Sequence, residues 1–192
     1  VADFEFARAK TEVARTGRAD LMARLELARC AAQVASLDLR PCTDYLSLAV
    51  DAQATEQAYA AFIGGRWNGL DPALLPVAYR ALVVHMLEVE KSSAMPTTAS
   101  ANNPQVAPST SALGQIQDPL SRLIAAGSLL QREQLTPNDA EVAVKTASDQ
   151  GWQRPLLAWL GVQLKRQQTA GNSIAASETL RRVDLVLQTS AK

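Results

Sequence analysis

Histidine occurs once in this chain, at His85, and cysteine twice, at Cys30 and Cys42. A lone histidine cannot supply the paired Glu-x-x-His units of a di-iron carboxylate bundle, and no nucleophile can be assigned to it as a triad base. Two cysteines without neighbouring histidines cannot close a four-ligand zinc site, and their spacing is not that of a Cys-x-x-Cys redox motif. There is no Gly-x-Ser-x-Gly elbow and no Gly-x-x-x-x-Gly-Lys phosphate loop. An excess of one charge is also missing, because 19 Lys and Arg stand against 19 Asp and Glu. The halves are nearly balanced too: residues 1–95 carry ten basic and twelve acidic groups, the remainder nine and seven. That balance argues against a nucleic-acid partner and against a basic membrane-surface face. No apolar run reaches the roughly 18 residues of a membrane-spanning helix. No cofactor, metal site or catalytic residue is assigned on these grounds.

What the chain does contain is helix-forming composition. Alanine and leucine dominate, and glycine-bounded alternating β-branched runs are missing, so the expectation is an all-α chain with almost no strand. Helices are predicted at about 2–15, 19–37, 43–64 with a break near Asp51, 72–91, 116–134, 138–150, 155–170 and 173–189. Asp71-Pro72, Asp118-Pro119 and Thr136-Pro137 each place a capping side chain before a proline at the first helical position, where a missing N–H costs nothing. Gly171-Asn172-Ser173 reads as a stop followed by a new cap. Such short joints favour antiparallel helical hairpins forming an irregular bundle. Tetratricopeptide-like packing is the alternative, suggested by a helix, glycine turn, helix pattern around Gly17 and again around Gly151.

Residues 92–115 shift to Ser, Thr, Ala, Asn and Pro, a composition that buries too little apolar surface to offset its ordering entropy. They are expected to form a linker between an N-terminal block, 1–91, and a C-terminal block, 116–192. The blocks hold either separate cores or one shared core.

The cysteines are more informative about geometry than about chemistry. Leu27, Cys30, Val34 and Leu37 recur at the spacing of one buried helical face. An uninterrupted helix would hold Cys30 and Cys42 about 18 Å apart, well beyond disulfide reach. Asp38-Leu39-Arg40-Pro41 breaks it, because a residue preceding proline is pushed out of the α region. A reversal there allows a Cys30–Cys42 disulfide that closes a small ring, a contribution of about 2–3 kcal/mol in the loop-entropy model. The other reading is two reduced, buried thiols.

Several residues are candidates for a binding site. Trp152 and Trp159 bracket Arg154-Pro155 at a helix start, where one would be core and the other an anchor for a protein partner. His85 and Glu88 share a helix face and are the candidates for a small-molecule pocket between the blocks. Gly64-Gly65 and Gly69 around Arg66-Trp67-Asn68 read as a helix stop and turn rather than a phosphate cradle. Tyr59, Phe62 and Ile63 should pack on the helix carrying Cys30, with Leu46 and Leu48 covering the same core.

Leu25 to Leu37, then Cys42, then Glu56-Gln57-Ala58-Tyr59, resembles segments of uncharacterised proteobacterial envelope lipoproteins. The resemblance brings no activity or site residues. It implies export to the periplasm or attachment to the outer membrane, through a lipid-modified cysteine upstream of Val1. With the disulfide, it favours a non-catalytic envelope protein that binds another protein. The alternatives are a small-molecule or lipid-handling protein, an immunity or chaperone-like partner of a secreted effector, and, for location, the cytoplasm.

Overall fold

The computed structural model describes residues 2–94 and 111–190, and among these it is all-helical. In chain order the helices are α1 (Ala2–Ala14), α2 (Ala19–Ala35), α3 (Thr43–Leu46), α4 (Ala54–Ile63), α5 (Val77–Ala94), α6 (Pro119–Gln131), α7 (Pro137–Asp149), α8 (Gln153–Thr169) and α9 (Ser173–Ser190). Short 3-10 turns at Pro72–Leu74 and Ala112–Gln115 precede α5 and α6. They pack as a bundle. From α6 to α9 each helix lies on its chain neighbour, while α2 packs on α1, α4 and α6.

The expected caps are present. Asp118 accepts from the Ser121 amide, and Thr136 forms a capping box with Asp139. Asp71 accepts from the Ala73 amide, but the helix it opens lasts a single 3-10 turn. The expected 72–91 helix is split because Pro76 pushes Leu75 to an extended conformation (φ −81°, ψ 156°), and α5 begins only at Val77. The 43–64 stretch breaks as expected, leaving α3 and α4 apart.

Helix α2 ends before Pro41 is reached. Its last helical residue is Ala35, and Leu37 takes a left-handed conformation (φ 58°). There the Leu37 amide donates to Val34 O at 3.0 Å and the Asp38 amide to Gln33 O at 3.0 Å, which is a Schellman closure. Pro41 shapes the loop after the stop rather than causing it.

One hydrophobic core spans both blocks, with Leu27, Val34 and Phe62 in the same cluster as Leu123, Ala143 and Trp159. The distal end of the expected linker belongs to it: Leu113 is fully buried and Ile116 nearly so. Residues 95–110 of that linker lie outside the described residues. Where α2 crosses α6, buried alanines lie on both helices, and Gly127 admits the backbone of α2 so closely that a Cβ there would sit 2.6 Å from Val34 O.

Aromatic and polar groups complete the junction. The Trp67 indole, fully buried, donates from Nε1 to Phe62 O and to Ser128 Oγ, each at 3.0 Å. The Ser128 hydroxyl in turn donates to Phe62 O. Gln131 Nε2 donates to Ile63 O at 2.7 Å and Arg132 Nη1 to Gly65 O at 3.2 Å. Side chains of α6 and its C-cap therefore satisfy carbonyls that the end of α4 leaves without intrahelical partners.

Two glycine substitutions separate close packing from helix propensity. Gly127→Ala should destabilise by about 1–3 kcal/mol, because the new methyl must push Val34 backbone away. Gly161→Ala, in α8 with nothing near its Cβ position, should stabilise by about 0.5–1 kcal/mol. Urea denaturation of both variants checks the pair; equal effects would refute the account of the α2–α6 crossing.

Candidate functional site

Of the two readings of the cysteine pair, the disulfide is the one that forms, by way of the chain reversal at Leu37. Cys30 in α2 and Cys42 immediately before α3 are joined, with their Cα atoms 5.9 Å apart. It ties the 36–42 loop against α2, and what remains between loop, α3, α2 and α4 is a groove of about 250 Å³. Leu27 and Val34 line it from α2, Ile63 and Tyr45 from α4 and α3, and Leu39 and Pro41 from the loop. Leu46, expected to cover the core, instead stands at the lip and is 56% exposed, and Leu39 is 39% exposed. The four residues of α3 are too few to turn Leu46 inward once Tyr45 is buried, since adjacent helical positions point to different faces.

Two arginines line the groove, Arg40 and Arg66. Arg40 is occupied: its guanidinium grips Asp38 with two bonds of 2.7 and 2.6 Å, which holds the Asp38 carboxyl below the usual carboxylate range. Arg66 is exposed, forms no ion pair among the described residues, and its charge reaches the Tyr45 phenol. Burial, helped by the Glu56 carboxylate, pushes the Tyr45 hydroxyl above its ordinary value against that charge. No carboxylate lines the groove.

Comparisons with family models, with curated proteins and with solved structures found no match.

A second apolar cavity of about 370 Å³ lies on the other side of α2 and α4, against Leu74, Leu75 and Arg80. Its rim carries the Arg24–Glu56 ion pair at 2.6 Å. Burial alone would raise the Glu56 carboxyl, but the Arg24 guanidinium and Thr55 hydroxyl outweigh it and hold it low. A polar cleft of about 430 Å³ runs along the outer side of the disulfide, between Glu26, Arg29 and Asp44.

The other candidates fall elsewhere. His85 and Glu88 share the exposed side of α5, and neither lines the three cavities described above. Trp159 is fully buried, its Nε1 donating to Ala35 O at 3.0 Å, so it is core and offers nothing to a partner. Trp152 is half-buried and packs against the same core. The glycines around Trp67 are a helix stop as read, with Gly64 as the cap of α4 and Gly65 and Gly69 left-handed. Among the described residues no group of three or more His, Cys, Asp or Glu could hold a metal ion, and no helix is long and apolar enough to cross a membrane.

Beside the polar cleft, α1 lies on α2 through half-buried Phe6, Ala9 and Val13 and through charged contacts. No α1 residue with a described side chain is buried. Arg29 pairs with Asp3 at 3.3 Å and lies 4.5 Å from the Phe6 ring centroid. The Glu26 carboxylate is only 2% exposed; its Oε1 has no hydrogen-bond partner of good angle, and the Lys10 ammonium 2.5 Å away compensates it. That contact raises the Lys10 pKa above its ordinary value of 10.5. A raised folded-state value stabilises fully below the unfolded value and is lost as pH rises through the folded one. Docking of α1 should therefore weaken above about pH 10.5, read as a fall in hydrogen-exchange protection factors over residues 2–14 relative to α2. Lys10→Met should cost about 1–3 kcal/mol by stranding the carboxylate, and adding Glu26→Gln should recover part of it. An unchanged Lys10→Met stability would show that the pair does not hold α1.

Proposed function

We propose that this chain is a non-catalytic helical protein of an oxidising envelope compartment, periplasmic or attached to the outer membrane, that works by binding another protein. The observation that carries this reading is the apolar groove beside the disulfide, with Leu39 and Leu46 exposed at its lip. Apolar side chains gathered at a concave edge are what a partner's anchor residue needs, since a few buried anchors supply most of the energy of an interface. The disulfide supports the compartment, because such bonds persist in the periplasm and are rare in the cytosol.

Size favours a protein partner over a free ligand in this groove. Drug-sized ligands occupy pockets of roughly 300–1,000 Å³. At about 250 Å³ the groove takes one bulky side chain. The second cavity, at about 370 Å³ and largely apolar, favours the small-molecule or lipid-handling alternative, now without His85 and Glu88.

Photo-crosslinking in the native envelope separates these readings. A crosslinker at position 46 should trap a discrete protein that one at position 85, on the exposed side of α5, does not. Leu39→Asp should remove that product. Equal trapping from both positions, or none from position 46, would refute the groove as a docking site. Cys30 and Cys42 should resist alkylation in protein isolated from its own compartment until reductant is added; free alkylation would remove the support for an oxidising location.

A further inference from the structure

We propose that the groove beside the disulfide receives the C-terminal residue of its partner, an apolar side chain seated between Leu27, Val34 and Ile63 with the terminal carboxylate on Arg66. The inference rests on the protein-binding reading above and names the chemistry of the bound segment.

Charge complementarity selects a carboxylate. Of the two cations lining the groove, Arg40 has its guanidinium committed to Asp38. Arg66 has no carboxylate partner among the described residues, and no acidic side chain lines the groove to supply one. A planar guanidinium with free N–H donors is the side chain best shaped to hold a carboxylate by two parallel bonds.

The end of α4 would ordinarily work against an anion here, because a helix C-terminus carries partial negative charge. In this fold that end is answered from the opposite side. Phe62 O accepts from Trp67 and Ser128, Ile63 O from Gln131, and Gly65 O from Arg132. The Arg66 charge is therefore not spent on the carbonyls at the end of the helix before it. Arg66 lines the groove together with Tyr45, Leu46 and Ile63, so its charge stands at an apolar wall.

Size selects a terminus over an internal segment. A cavity of about 250 Å³ accommodates one side chain, and an internal residue would have to carry its chain onward in both directions over a rim where Leu39 and Leu46 stand exposed. A final residue enters and stops. The loop that carries Leu39 and Pro41 is tied to α2 by the Cys30–Cys42 bond, so the site should also depend on that bond being intact.

Fluorescence anisotropy with labelled pentapeptides tests this, using Ser-Ala sequences ending in Leu or Phe, each as free acid and as C-terminal amide. The free acids should bind the unmodified protein at least about tenfold more tightly than the amides. Arg66→Gln should narrow that gap to about threefold or less, and Arg66→Lys should restore part of it. Leu46→Asp should weaken acid and amide alike, and reduction of the disulfide should do the same. Circular dichroism would verify that each variant is folded. Equal binding of acid and amide, with both lost in Leu46→Asp, would overturn the terminal carboxylate while leaving the groove as a docking site. No binding of any peptide, or binding indifferent to Leu46→Asp, would overturn both. Displacement of the peptides by decanoate at equal or lower concentration would reassign the site to free carboxylates and overturn the peptide assignment.

Discussion

The close approach of α2 and α6 at Val34 and Gly127 is the constraint on which the rest of the arrangement depends. A glycine is required there because any Cβ would meet the Val34 carbonyl at 2.6 Å and its side chain at 2.7 Å. With the axes drawn that close, the residue after Gly127, Ser128, lies fully buried against the end of α4. Ser128, Gln131 and Arg132 then reach the carbonyls of Phe62, Ile63 and Gly65. A larger residue at position 127 would separate the helices and withdraw those donors together. Phe62 O would keep the Trp67 indole and the Gly65 amide, but Ile63 O and Gly65 O would lose the donors that α6 supplies, so the crossing and the capping reinforce each other.

The groove follows from how α2 ends. From one side, Ala35 O accepts the Trp159 indole of α8, and α6 lies against Val34. From the other side the Schellman closure turns the chain at Leu37, and the disulfide returns the loop to α2 at Cys30, before that helix has ended. The chain is pinned at two places, with residues 38–41 bridging between them. Side chains on that bridge cannot reach the core that α6 and α8 have already filled, and Leu39 stays partly exposed. The groove is the space left between a filled core and a loop too short to fill it.

Legibility in the chain tracked how local each cause was. Caps at Asp118 and Thr136 depend on a few neighbouring residues and are readable from spacing, whereas the Cys30–Cys42 pairing is one of two readings until the left-handed turn at Leu37, not Pro41, brings the cysteines together. Pro76 was equally local, and its effect on Leu75 was available in principle. The roles of Gly127, Leu113 and Trp159 depend on segments far away in sequence. Nothing beside Gly127 distinguishes it from an ordinary weak point in a helix until α2 is laid across it. Leu113 sits in a polar, Ser- and Pro-rich stretch and is buried only because the core receives it. The candidate site was hidden for the same reason: Leu39, Leu46 and Arg66 come from three segments that only the folded chain assembles.

The distribution of charge bears on how a partner would meet this surface. With net charge zero, the chain has no overall charge to steer a partner, and beyond a Debye length of about 8 Å at physiological salt exposed charges are screened. Many of the ion pairs instead join neighbouring elements: Arg29 with Asp3 across α1 and α2, Arg24 with Glu56 across α2 and α4, Arg132 with Glu90 across α5 and the end of α6. Such pairs, where solvent-exposed, contribute at most about 1 kcal/mol each, so their use is to fix register rather than to hold the fold together. Arg154, reaching Asp38 at 3.4 Å, extends that network to the loop beside the groove. A cation standing outside this network, as Arg66 does at an apolar edge, has no register to fix. Its charge acts only over contact distance, which is the range at which a seated carboxylate would meet it.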